Sequence, residues 1–257
     1  MPNSILDKIV KQKKREIEYL KKTKFENNIK PFSNIISFKN NLSKPGLNLI
    51  AEIKKASPSA GIIRTEFNPI DLANSFINSG AQALSILTDE EFFLGSLDYL
   101  KQVREKVACP ILRKDFILDP IQIKESAASG ANAILLILSI LTKSQAQLLL
   151  DTAHSYNLDA LIEVHDESEL DILLELKNVE LIGFNNRNLK NFKVDVNHSI
   201  NMKRKLEKTH LNKCLFIAES GYKVKEELDL LNEASFNGVL IGEGLAKNKQ
   251  LATYFKK

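Results

Sequence analysis

A chain of 257 residues with 44% hydrophobic side chains has enough apolar material for one well-packed core, and a 26% charged fraction is ordinary for a globular protein. The net charge of +4 suits an anionic small substrate and does not by itself indicate nucleic acid. Two cysteines, Cys109 and Cys214, each just before an apolar run, make neither a disulfide framework nor a metal-ligand spacing, and the longest strongly apolar stretch, 133–141, is too short to span a bilayer.

Residues 1–48 precede anything that reads as a strand. They carry charges throughout and no apolar core of the kind a signal peptide has. Ile5, Ile9, Ile17 and Leu20 share one face of a helix, and the lysines with Arg15 take the other. That is the pattern of a solvated helix docked on a larger body, in preference to a nucleic-acid or membrane arm. Phe32, Ile35, Ile36, Phe38 and Leu42 predict a second short helix that caps one end of that body.

From residue 49 onward, short apolar runs alternate with segments of helical period. The runs lie at 49–54, 83–87, 111–114, 133–138, 160–164, 181–184, 215–218 and 238–241. Their nearly continuous apolar character is that of strands buried on both faces. Helices are read over 71–78 after Pro69, 97–106 after Ser96, 121–129 between Pro120 and Gly130, and 167–176 after Asp166. Such alternation means parallel strands with right-handed crossovers. Eight units either close into a barrel or form an open doubly wound sheet. No strand is followed by a G-x-G-x-x-G turn, which weakens the dinucleotide-binding form of the open sheet. The expectation is a single α/β domain, a (β/α)8 TIM barrel over 49–257 with an N-terminal helical extension over 1–48.

In such barrels the active site lies at the C-terminal ends of the strands and on the loops that follow. The first run ends in Glu52 and Lys54, which point the same way because side chains alternate; two interior charges are costly unless paired or used. Arg113, Lys114 and Asp115 end the third run, Glu163 and His165 the fifth, Asn185, Asn186 and Arg187 the sixth, and Glu219 the seventh; Glu243 follows the eighth. Any one of these reads equally well as a salt-bridged strand terminus, but their recurrence at one end does not. His165 is the one histidine near a strand end and reads as hydrogen-bonded and structural rather than catalytic. Ser220-Gly221 and Gly242-Glu243-Gly244 follow the seventh and eighth runs, where barrels commonly cradle a phosphate with backbone N–H groups. Two lysines and several carboxylates among apolar walls favour proton-transfer chemistry on a phosphorylated small molecule.

Six segments carry a more specific signal. AEIKKASPS from Ala51, LTDEEFF from Leu87, LRKDF from Leu112, LIEVH from Leu161, IGFNNRNL from Ile182 and AESG from Ala218 occur in that order. Together they resemble the indole-3-glycerol phosphate synthase family over essentially the whole chain. The resemblance implies a cytoplasmic carboxy-lyase of tryptophan biosynthesis. It would close the ring of 1-(2-carboxyphenylamino)-1-deoxyribulose 5-phosphate, decarboxylate and dehydrate it to indole-3-glycerol phosphate, and use no cofactor and no metal. The general acid for ring closure falls on Lys114, and acid/base work in the dehydration on Glu163. Lys54 would meet the substrate carboxylate, with a proton of its own to give, while Glu52, Asn185 and Glu219 hold the substrate and the lysines. Ser57, Arg187, Ser220, Gly221, Gly242 and Glu243 would lie around the anilino-carboxylate or the phosphate. Phe93 and Phe116 either pack on the aromatic ring or belong to the core.

Three positions depart from the commonest family pattern: Ala60 where lysine is frequent, Leu94 where a polar residue usually precedes glycine, and Glu243 where many members have serine. A carboxylate beside a phosphate repels it unless the side chain turns away. The nearest enzyme alternative, a phosphoribosylanthranilate isomerase, requires a cysteine/aspartate pair at strand ends, whereas Cys109 precedes its strand. A non-catalytic phosphate-binding barrel has no use for the interior lysines and glutamates. The expected partner is the phosphorylated substrate, without nucleic acid or membrane, in a monomer or weak homo-oligomer.

Overall fold

The apolar runs become eight parallel strands: β1 (Asn48–Ile53), β2 (Ala83–Leu87), β3 (Ile111–Lys114), β4 (Ala133–Ile137), β5 (Asp159–Val164), β6 (Leu181–Asn185), β7 (Leu215–Glu219) and β8 (Gly238–Ile241). The computed structural model describes residues 4–23, 36–188 and 193–256. Each strand pairs with its sequence neighbours, and β1 closes onto β8 from Asn48↔Gly238 to Ala51↔Ile241. The sheet is therefore a closed barrel, not an open one. Alternation sends Ile50, Leu112, Leu161, Leu181, Ile217 and Leu240 into the interior, while Leu84, Ile134, Ile162 and Val239 face the surrounding helices.

Helix α1 (Ile5–Lys22) starts at a capping box between Ser4 and Asp7, and its buried face is Ile9, Lys13 and Ile17. Lys13 thus corrects the expectation that the lysines of this helix all face solvent. Helix α2 (Phe38–Leu42) plugs the N-terminal mouth, with Phe38 and Leu42 packed on Ile50, Ala83, Ala133 and Leu181. Asp159, at the start of β5, accepts the Lys39 N–H at 2.9 Å, and Asn48 donates to the Leu42 carbonyl at 3.1 Å. Of the residues read into this helix, Phe32 and Ile35 lie outside the described residues.

Helices α3 (Pro69–Asn78), α4 (Leu97–Lys106), α5 (Pro120–Ala128), α6 (Lys143–Ser155), α7 (Ser168–Glu175), α8 (His198–Leu206), α9 (Lys225–Glu233) and α10 (Glu243–Lys247) follow the strands in turn. Ser96 before α4 accepts a backbone N–H as its helix begins, and Asn68 before Pro69 and Asp119 before Pro120 do the same for α3 and α5. Helix α7 is shorter than its pattern because Asp166 takes the Ser168 N–H at 2.9 Å and delays the first turn. Cys109 is buried and Cys214 half-buried, both as free thiols. Among the described residues no helix is long and apolar enough to cross a membrane.

Candidate active site

The polar strand ends converge inside the C-terminal mouth. Lys114 ends β3, Glu163 lies in β5 and Glu219 ends β7; all three are inward positions. The Lys114 ammonium stands 3.3 Å from Glu163 Oε2 and 3.3 Å from Glu219 Oε2, with the two carboxyls 4% and 1% exposed. On β1, Glu52 and Lys54 are paired with each other. Their crowding depends on missing side chains. A Cβ on Gly183, in β6, would lie 2.2 Å from Glu219 Oε1, and one on Gly242 would lie 2.1 Å from Glu52 Oε2. The motif residue Arg113, one position before Lys114, points the other way. Its guanidinium ties Thr88, Asp115 and Glu125 together in the helix layer.

The charges settle each other. Burial disfavours the Lys114 ammonium, but Glu163, Glu219 and Glu52 outweigh it and hold its pKa above the ordinary lysine value. Burial also raises the Glu219 carboxyl, and the Glu163 charge raises it further, well above the usual carboxylate range. Glu163 goes the other way, because Lys114 and His165 together overcome its burial. The same buried cluster thus favours the charged form of Lys114 and of Glu163 and disfavours that of Glu219. Three carboxyl groups face the Lys114 ammonium and hold its proton firmly.

Around this floor is a cavity of about 290 Å³. It is lined by Glu52, Lys54, Ser57, Phe93, Lys114, Phe116, Glu163, Asn185, Arg187, Glu219, Ser220, Gly221, Gly242 and Glu243, so every residue to which the resemblance gave a role reaches it, while the strand-end residues Arg113, His165 and Asn186 do not. Phe93 and Phe116 form one wall, with ring centroids 6.0 Å apart. Leu135, Ile137 and Leu240 supply apolar surface beneath. At the rim, Gly221 has φ +99° and follows Ser220 at φ +69°, so both peptides of this turn adopt the left-handed region. Asn186 steadies the turn, donating to the Ser220 carbonyl at 3.0 Å and to the Tyr222 hydroxyl at 2.8 Å. The Glu243 carboxylate lies 3.7 Å from the Arg187 guanidinium, and α10 behind it is five residues long.

Helix α1 completes the mouth, with Ile5, Leu6 and Ile9 lining the cavity. Its Lys13, 2% exposed, reaches Asp115 at 2.9 Å and Asp89 at 3.0 Å. Sequence reasoning missed this anchor and the space-clearing role of Gly183. A charged residue on the apolar helix face was the available signal for Lys13; nothing local distinguishes Gly183 from a packing glycine. His165 was read as hydrogen-bonded and structural, but neither of its ring nitrogens makes a hydrogen bond among the described residues. Its Nε2 stands 3.1 Å from Glu163 Oε1.

A (β/α)8 barrel with paired ammonium and carboxyl groups in its C-terminal mouth has the layout of a barrel enzyme of acid–base chemistry. Comparison with known proteins narrows that class. The profile of the indole-3-glycerol phosphate synthase family matches residues 6–257, and the chain belongs to that family. Among curated relatives, the indole-3-glycerol phosphate synthase of Endomicrobium trichonymphae is 41% identical over 254 residues, covering 96% of each chain. That of Petrotoga mobilis is 45% identical over 243 residues, 94% of this chain and 91% of the relative. Among solved structures, a phosphoribosylanthranilate isomerase from Thermotoga maritima superposes with a TM-score of 0.57 over 81% of this chain and 96% of its own. At 8% identity that likeness concerns the fold alone.

Proposed function

We propose that this chain converts 1-(2-carboxyphenylamino)-1-deoxyribulose 5-phosphate to indole-3-glycerol phosphate, carbon dioxide and water. The observation that carries this reading is the Lys114 ammonium held between Glu163 and Glu219 on the cavity floor, beside the Glu52–Lys54 pair. Attack of the ring carbon on the ketone turns its oxygen into an alkoxide, a far stronger base than any amine. Lys114 donates to that oxygen even though its neighbours hold its proton firmly. The carboxylate, met by Lys54, leaves as carbon dioxide and the ring regains its aromaticity. Glu163, the ionised carboxylate, then takes the proton from the adjacent carbon and hands it to the new hydroxyl, which departs as water. Glu52, Asn185 and Glu219 position the substrate and the two lysines.

Phe93 and Phe116 face the aromatic ring, and Ser57 and Arg187 its carboxylate. The phosphate sits at the rim on the N–H groups of Ser220, Gly221, Gly242 and Glu243, with the Glu243 side chain turned toward Arg187. Residues 1–48 and the barrel of 49–257 work as one domain, α1 serving as part of the cavity wall. The protein acts in the cytoplasm as a monomer or weak homo-oligomer.

The test is to mix purified protein with this substrate and follow indole fluorescence. Lys114→Met keeps the aliphatic stem and removes the donor; substrate binding should persist while ring closure falls about 10²–10⁴-fold. Lys114→Arg should restore little, since guanidinium gives up no proton near pH 7. Ring closure by Lys114→Met near the wild-type rate would pass the general-acid role to Lys54.

A further inference from the structure

Proton arithmetic leaves the proposed reaction one short. The ketone oxygen leaves as water and gains two protons, the carbon beside it gives up one, and carbon dioxide carries none. Each turnover must draw a proton from solvent, while α1 and the bound substrate cover the mouth. We propose that His165 and Glu169 return that proton to the floor through Glu163; this rests on Glu163 being the acid/base group of the reaction.

The geometry is a line of carboxyl, imidazole, carboxyl and amine. Glu163 divides its two oxygens: Oε2 faces Lys114 at 3.3 Å, and Oε1 lies 3.1 Å from His165 Nε2, a contact that a turn of the ring brings into hydrogen-bond line. On the far side of the ring, Nδ1 looks at Glu169 Oε2 across 3.9 Å, so contact needs that carboxyl to move by about 1 Å. Glu169 belongs to α7 and is fixed to the strand end, accepting the His165 N–H at 2.8 Å. The His165 carbonyl is held by His198 Nε2 at 2.8 Å, which sets the ring's place on β5. The charged groups facing the ring are Glu163 on its own strand, Glu169 on α7 and Lys114 on β3, with Asp166 beside Glu169. Burial penalises the imidazolium, but Glu163 and Glu169 more than restore it. Burial likewise pushes Glu169 up to about 7, against the His165 N–H and ring, so it exchanges protons near neutral pH.

The transfers balance. Glu163 passes the proton it took from carbon to the departing hydroxyl, which already carries the one Lys114 gave in ring closure, so the floor ends one proton short, at the Lys114 amine. Glu169 then gives a proton to His165 Nδ1 as the Nε2–H moves to Glu163 and on to Lys114. Glu169 refills from solvent, and rotation of the imidazole restores its tautomer. No electrons change hands.

The experiment follows indole fluorescence and proton uptake together, with a pH-indicator dye in weak buffer, for wild type, His165→Gln, Glu169→Gln and Glu163→Gln. Glu169→Gln keeps the acceptor for the His165 N–H and so tests the relay without releasing the strand end. Wild type should take up one proton per indole in the same phase. Both relay variants should form the first indole at the wild-type rate, with uptake and later turnovers slowed about tenfold or more and recovered by added imidazole. Uptake that stays in step with indole in His165→Gln overturns the proposal. So does a first turnover slowed as much as later ones with no response to imidazole, the mark of a packing role. Normal dehydration by Glu163→Gln overturns the reading of Glu163 and the route with it; a slow Glu163→Gln beside an unaffected His165→Gln overturns the relay alone.

Discussion

Gly183 and Leu94 illustrate opposite relations between a residue and its place. A methyl at Gly183 collides with the far end of Glu219, a side chain that can swing aside, and otherwise makes an ordinary contact with Leu161 at 3.4 Å. Gly183→Ala should therefore keep its fold and melting temperature within a few degrees while Glu219 leaves Lys114, and kcat should fall about 10²-fold; an unchanged kcat in steady-state assays would show that the Glu219–Lys114 contact is dispensable. Gly221→Val is harsher, since the residue sits at φ +99° and its Cβ would lie 2.3 Å from Val194 Cγ1. It should cost about 1–3 kcal/mol in denaturant titration and raise KM for the phosphorylated substrate more than it lowers kcat. Leu94, where a polar residue is usual, has φ +49° and is 41% exposed, a conformation better suited to asparagine. Leu94→Asn should raise stability by about 0.5–1 kcal/mol, read as a higher melting temperature, without changing KM.

At the scale of the element, α1 is held across the mouth by one ion cluster. Removing Lys13 leaves Asp89 buried without its cation and Asp115 with Arg113 alone, so Lys13→Met should cost about 3 kcal/mol, speed amide exchange along 5–22, and raise KM as Ile5, Leu6 and Ile9 leave the cavity wall. The same cluster sets an acid limit. Burial raises the Asp115 carboxyl, but Lys13, Arg113 and the Thr88 hydroxyl overcome it and bring its pKa down to about 2, below the ordinary 3.8. A group depressed in the folded state stabilises above its unfolded pKa and loses that contribution as pH falls through the folded one. Stability should thus decline between about pH 4 and 2, and less steeply in Lys13→Met; equal slopes in the two proteins would place the acid-sensitive group elsewhere. The apolar stripe of α1 was legible, and Lys13 at its spacing was a cue; its partners were not, since they lie in distant loops that no local period reveals. Strand ends fared similarly. Asn185 and Glu219 belong to β6 and β7, yet a reading based on apolar character stops one residue early, because the last position of each strand is polar.

For the whole molecule, order and number of strands were open to reading, and so was the end of the barrel that carries the chemistry. Closure was expected from the eight units and the missing dinucleotide-binding turn, but the pairing that makes it, between β1 and β8, the first and last strands, is contained in no local pattern. The candidate site was legible for a related reason. Its residues come from different strands but from equivalent positions, so the periodicity of strands collects Glu52, Lys114, Glu163 and Glu219 at one depth before any coordinate is known. What escaped were the spaces between them, at Gly183 and Gly242, which depend on neighbours across the sheet. Closure also has a history during synthesis. β1 is made first among the strands, yet one of its edges stays bare until β8 has emerged from the ribosome. Throughout that interval Asn48 to Ala51 offer unpaired N–H and C=O groups to any other nascent copy, and Glu52 lacks the glycine it will pack against. Maturation of this molecule therefore ends in a single late seam, and the time a polysome takes to reach it is the window in which a chaperone has something to protect.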